Sequence, residues 1–160
     1  MQDTPITFGI VTCSDTRNLS QDQAGDALEK LIADRGWVCK AHTIVKDERM
    51  NIAEAIRHQA DDINCDIVLT CGGSGLSPRD VTPEATRDVC DRDVPGIAEA
   101  MRYHSLQITP YAMLSRAVCM QRGTTIVINL PGSTKAATEN WEGIVDALAH
   151  AVKMTTGAGH

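Results

Sequence analysis

The stretch Asp66-Ile67-Val68-Leu69-Thr70-Cys71-Gly72-Gly73-Ser74-Gly75 constrains this chain more than any other. Its apolar half reads as a buried strand. Its second half opens a loop that carries Arg79 and Asp80 before a helix-starting Thr82-Pro83-Glu84. Glycines let a backbone approach an anion closely, and successive free N–H groups form a nest that holds one. A strand end followed by such a loop and a helix is where open α/β sheets bind phosphorylated ligands. The loop therefore reads as a phosphate-ligand site with an acid built into it.

The surrounding pattern repeats the same unit. Residues 6–12 form a compact apolar run, the mark of a central strand. Residues 22–35 carry Ala24, Ala27, Leu28, Leu31 and Ile32 at helical spacing, and Gly36 stops them. Residues 38–45 read as a second strand, and residues 52–63 as a helix with Ala53, Ile56 and Ala60 on one face. Strand, helix, strand, helix, strand with short links predicts an α/β fold of three layers, a mostly parallel sheet with helices on both faces. Further on, Thr82 is expected to cap a helix with Pro83 at its first position. Val94-Pro95-Gly96 breaks the chain before a helix over residues 97–106. Residues 117–121 and 125–130 read as an antiparallel edge pair around Arg122-Gly123. Pro131-Gly132-Ser133-Thr134-Lys135 then starts one long helix over residues 135–154, and residues 155–160 read as a disordered tail. No linker or repeat divides residues 1–160, which read as a single domain.

Charge and cysteine usage narrow the function classes. A net charge of −6 argues against nucleic acid or an anionic membrane as partner. Aromatics at 3% leave too few rings for a base-stacking platform. Any anionic ligand must then be held by local backbone donors and a few basic side chains. The six cysteines are scattered, no C-x-x-C pair occurs, and Cys39 near His42 lacks a second ligand pair, so both read as strand residues rather than a zinc site. No basic leader and no spanning apolar run is present, which predicts a cytoplasmic protein with reduced thiols.

Four polar segments follow strand ends: Cys13-Ser14-Asp15, Lys46-Asp47-Glu48-Arg49, the glycine loop, and Gly132-Ser133-Thr134-Lys135. In a parallel sheet these ends share one edge, so the loops are expected to converge. Singly, each has a plain alternative. A Gly-Gly-Ser-Gly can be a flexible turn, Ser-Gly helix starts are common caps, and charge after a strand is usually solvated. The glycine loop matches neither a Walker A sequence nor a G-x-G-x-x-G fingerprint. Asp80 beside Arg79 could be a surface ion pair of little energetic weight. Next to phosphates, Asp80 would instead hold a divalent cation or orient a nucleophile, and Asp47 is a candidate second carboxylate for positioning such an ion in phosphoryl or nucleotidyl transfer. Trp37, Trp141, Tyr103 and Tyr111 read as packing residues, and His58, His104 and His150 show no catalytic pairing.

With these pieces in order, the chain resembles the MoaB/MogA family of molybdenum-cofactor biosynthesis proteins over nearly its whole length. The resemblance rests on Ser14-Asp15, Val45-Lys46-Asp47 and the loop from Gly72 to Glu84. It continues through Asp93-Val94-Pro95-Gly96, Ser115-Arg116-Ala117 and Leu130-Pro131-Gly132-Ser133-Thr134-Lys135-Ala136. It implies Mg²⁺-dependent adenylylation of molybdopterin by ATP, with pyrophosphate released. A trimer or hexamer and a molybdenum-insertase partner are implied as well. Asp47 and Asp80 match the catalytic aspartates, with Asp80 as the expected metal ligand. Ser14, Asp15, Gly72, Gly73, Ser74, Gly75, Arg79, Thr82, Gly132, Ser133 and Lys135 are the expected substrate-binding residues. Three departures stand out: Ser74 replaces a usual threonine, Thr134 a usual proline as in the MoaB branch, and Met120 a common glycine. The rival expectations are a non-catalytic molybdopterin-binding scaffold and a related domain acting on another nucleotide.

Overall fold

Alternation along the strands decides the layering. A computed structural model describes residues 4–159. In β1 (Thr7–Cys13), Phe8 and Ile10 join one apolar cluster while Val11 and Cys13 join another. The same split recurs in β3 (Ile67–Cys71) and β6 (Thr125–Leu130), where Val68 and Val127 face away from Ile67, Leu69, Ile126 and Ile128. A parallel strand with both faces apolar must be covered on both sides.

The larger cluster is closed by α1 (Gln23–Asp34), α4 (Pro95–Leu106), α5 (Thr134–Glu142) and α6 (Val145–Thr155). Leu28, Ile32, Met101 and Leu148 are fully or almost fully buried there, each stabilising the fold by roughly 1.5–3 kcal/mol. Phe8 stacks on Trp37 at 5.4 Å and meets Trp141 at 5.8 Å, so both tryptophans pack as expected. The other face is covered by α2 (Arg49–Arg57) through Ile52 and Ile56, and by α3 (Thr82–Val89) through Ala85.

With β2 (Val38–Val45), β5 (Cys119–Arg122) and β4 (Arg92–Asp93), the sheet runs β2-β1-β3-β6-β5-β4. The first four strands are parallel, and β5 and β4 add antiparallel at the far edge. The antiparallel pair lies where the sequence predicts it, with Arg92–Asp93 as a further two-residue strand outside it. Parallel order puts the ends of β1, β2, β3 and β6 along one edge. The connections after β1 and β2 leave in opposite directions, so the crevice opens between β1 and β3.

Three expectations are corrected. The last helix is two, because Gly143 interrupts it. A Cβ there would lie 2.8 Å from His104 Cβ, so the close approach of α4 requires glycine. Residues 52–63 do not form one α-helix either. After Arg57 the chain passes into a π-helical turn, His58–Asp62, whose Gln59 side chain lies buried and donates to the Ile10 carbonyl at 2.9 Å. The final residues are partly ordered: α6 runs to Thr155, and the Thr156 hydroxyl donates to the Lys153 carbonyl, while His160 lies outside the described residues.

Candidate active site

The glycine loop is fixed by its own backbone and by Thr82. Gly72 donates to the Leu130 carbonyl at 2.9 Å, tying the end of β3 to the end of β6. Gly72 and Gly73 have φ of +104° and +73°. A Cβ on Gly72 would lie 2.7 Å from the Cys13 carbonyl oxygen, and one on Gly73 would run into the Thr82 hydroxyl. Only glycine fits both the dihedrals and the space. Thr82 does not cap α3. It is the first helical residue, fully buried, and its hydroxyl donates to the Gly72 carbonyl at 2.9 Å. From there it supports the loop from behind. The N–H groups of Gly73, Ser74 and Gly75 have no acceptor among the described residues, which leaves them free for an anion.

Three carboxylates stand beside this loop. Asp15 accepts from the Asp47 N–H at 3.0 Å and from Arg79 Nε and Nη2 at 3.1 and 2.9 Å. Those Arg79 bonds hold the Asp15 carboxyl below its ordinary range. Asp80 accepts from the Ser77 N–H at 3.0 Å. Asp47 is half-buried, and its carboxylate has the Asp15 backbone beside it but no side-chain donor among the described residues. Burial first, then Asp15, push its pKa up, and Asp80 adds to the same effect. A half-buried carboxylate facing two more acids, with the Arg79 guanidinium committed to Asp15, is a site that favours added positive charge. This donor set fits a hard divalent cation with oxygen ligands.

The third loop completes the crevice. A Cβ on Gly132 would come within 3.2 Å of Gly72 Cα, so the two glycine loops touch. Ser133 caps α5, accepting from the Ala136 N–H at 3.2 Å. Arg17 Nη1 donates to the Gly132 carbonyl at 2.9 Å and brings a guanidinium to the same rim. Together these loops border one cleft of about 670 Å³, a volume suited to a bound organic molecule.

Ser14, Asp15, Asp47, Asp80, the four glycine-loop residues, Gly132 and Ser133 all line the cleft. Arg79, Thr82 and Lys135 do not. Arg79 is taken up by Asp15, Thr82 is internal, and Lys135 is exposed, 3.9 Å from Glu139. The structure adds Arg17, Ser105, Tyr111, Glu139 and Asn140 to the lining. Tyr111 is 77% exposed, contrary to its expected packing role. Glu139 and Asn140 sit in a stretch of ordinary helical periodicity, so nothing local marks them. Cys13 also borders the cleft, but its thiol belongs to the buried apolar cluster, and burial pushes it up to about 12, which keeps it protonated and poorly nucleophilic.

A family profile described as "Probable molybdopterin binding domain" matches residues 9–150. The chain belongs to the MoaB/MogA family. Among solved structures, the molybdopterin biosynthesis enzyme MoaB from Thermus thermophilus superposes with a TM-score of 0.87 at 43% identity. That match covers 95% of this chain and 97% of the other. The Escherichia coli K12 protein named molybdopterin adenylyltransferase is 37% identical, over 92% of this chain and 77% of its own length. The Drosophila melanogaster protein named molybdenum cofactor synthesis protein cinnamon is 39% identical over 93% of this chain, which spans only 25% of that longer protein. For this MoaB/MogA member, the six-stranded mixed sheet is thus the family fold, and the cleft lies at its parallel edge.

Proposed function

We propose that this chain transfers an adenylyl group from ATP to molybdopterin. A terminal phosphate oxygen of molybdopterin attacks the α-phosphorus of ATP. The bond from that phosphorus to the bridging oxygen breaks, and pyrophosphate leaves with the electron pair. The reading rests on one observation above all: the Asp47 carboxylate, without a side-chain donor, facing Asp15 and Asp80 beside three free amides. Relatives named molybdopterin adenylyltransferase, at 34–38% identity over most of this chain, support it.

Each residue then has a task. The Gly73, Ser74 and Gly75 amides hold phosphate oxygens and stabilise charge that grows on them in the transition state. Arg17 and the Ser133 loop hold a second anionic group at the rim. Asp80, with Asp47, would hold Mg²⁺, which when bound neutralises phosphate charge. Asp15 keeps Arg79 in place and fixes the Asp47 backbone. Self-association as a trimer or hexamer, a molybdenum-insertase partner and action in the cytoplasm belong to the same proposal. Six free cysteines agree with the last of these.

Asp80→Asn separates chemistry from binding. Pyrophosphate release with molybdopterin, ATP and Mg²⁺ is expected to fall at least 100-fold, while molybdopterin affinity by fluorescence titration stays within about threefold. Equal turnover in the variant and the parent would remove Asp80 from the reaction.

A further inference from the structure

Arg116 is far from the carboxylates in sequence and does not itself line the cleft. Its guanidinium nevertheless makes four hydrogen bonds at the base of the site. Nε donates to the Gly75 carbonyl at 2.8 Å and Nη2 to the Asp80 carbonyl at 2.7 Å. Nη1 and Nη2 also grip Glu84 at 2.7 and 3.0 Å. Its backbone N–H donates to the Ser74 carbonyl at 2.8 Å. We infer that Arg116 is the positioning residue that sets where the Asp80 carboxylate stands relative to Asp47 and the free loop amides.

The geometry carries this beyond ordinary packing. Leu76, Ser77, Pro78 and Arg79 are all exposed. Within that tip the bonds are local: Asp80 N–H to the Ser77 carbonyl at 2.9 Å and Ser77 N–H to Asp80 Oδ2 at 3.0 Å. Outside it, the tip holds only the exposed Arg79–Asp15 pair among the described residues. Exposed ion pairs fix position weakly. The two ends of the tip, Gly75 and Asp80, are instead tied to one rigid planar group, and a planar fork fixes direction as well as distance. Glu84, in the first turn of α3, holds that fork from the other side. Arg116 also follows Tyr111, Ala112, Leu114 and Ser115, which form a wall of the cleft. The arginine therefore joins the substrate wall, the glycine loop and the aspartate in one piece. A lysine offers no fork and cannot bridge both carbonyls and Glu84 in this way.

The inference rests on the adenylyl-transfer reading, and the test keeps the two apart. The full chain and its Arg116→Ala, Arg116→Lys and Glu84→Gln variants are compared in steady-state turnover with molybdopterin and ATP across Mg²⁺ concentrations. Free guanidinium is then added, for which the 37% exposed side chain leaves a path. Amide hydrogen exchange at residues 75–80 is measured on the same proteins without substrate.

Arg116→Ala is expected to lower kcat about 30- to 100-fold. The Mg²⁺ concentration for half-maximal rate should rise about tenfold, with KM for molybdopterin changed less than threefold. Millimolar guanidinium should restore part of kcat in Arg116→Ala and none in Asp80→Asn. Glu84→Gln should show a weaker version of the same split, and it stands in if Arg116→Ala does not fold. Exchange at residues 75–80 should quicken in Arg116→Ala even if the parent chain proves inactive, a result that would sink the adenylyl-transfer reading alone. Unchanged Mg²⁺ dependence and no rescue, with protein loss accounting for the lost rate, would overturn the positioning role. Unchanged exchange at residues 75–80 would do the same.

Discussion

Asp47 concentrates the chemistry of this site in one side chain. Burial and the two neighbouring acids raise its pKa, so it takes up a proton at a higher pH than an ordinary aspartate near 4. A metal-holding role needs the ionised form. The acid limb of kcat/KM is therefore expected above pH 4, with activity lost as pH falls through it. Asp15→Asn removes one repelling charge and frees Arg79, so the limb should move to lower pH; a limb that stays or rises would contradict this electrostatic account. Gly73→Ala tests the loop directly. Its positive φ and the Thr82 hydroxyl leave no room for a methyl group, and the variant should lose molybdopterin binding at least tenfold by titration. Asp47, Asp80 and the glycines were legible in the sequence because polar residues after apolar strands are conspicuous. Thr82 was misread because a threonine before Pro-Glu looks like a cap, whereas its hydroxyl turns back to the Gly72 carbonyl. The positioning role of Arg116 and the place of Asn140 on the cleft wall emerge only where distant elements meet.

The elements that carry the site depend on how they are anchored. Asp22 caps α1 by accepting from the Gly25 N–H at 3.0 Å, and its fully buried carboxylate also accepts from Thr12 and from His42 Nε2 at 2.6 Å. Burial alone would raise its pKa, but the Thr12, Gly25 and His42 donors outweigh burial and bring it below the ordinary value. A depressed carboxyl contributes stability above the unfolded pKa near 4 and loses it as pH falls through the folded value. Asp22→Ala removes the cap and the acceptor of the Thr12 hydroxyl and of His42 Nε2, leaving the imidazole its Nδ1 contact with Glu29 at 3.1 Å. It should cost about 3 kcal/mol, or roughly 10 °C in Tm by thermal unfolding. A shift under 2 °C would deny the network its structural weight. Helices and strands were largely legible in the periodicity, since β2 falls at Val38–Val45 as read. The break at Gly143 was not, because the reason for it is the neighbouring α4 and not the local sequence. Gly143→Ala, which sets a methyl group against His104, should therefore destabilise by about 1–2 kcal/mol in denaturant unfolding. A neutral or stabilising result would mean that α5 and α6 can join without moving α4.

At the scale of the whole molecule, one topological fact organises the rest. Four parallel strands end on one edge, and the reversal of connection direction between β1 and β3 opens a cleft where glycine loops and acids meet. The convergence was legible from strand order alone, before any distance was known. The far wall of the cleft was not, since it comes from α4, α5 and the segment Pro110–Leu114, which lie beyond the strand-end loops. The central claim is adenylyl transfer, and mass analysis of the product tests it most directly. Purified chain incubated with molybdopterin, ATP and Mg²⁺ should yield adenylyl-molybdopterin and one pyrophosphate for each product formed. Tight molybdopterin binding with no adenylylated product and no pyrophosphate would contradict the account and leave a binding protein in its place.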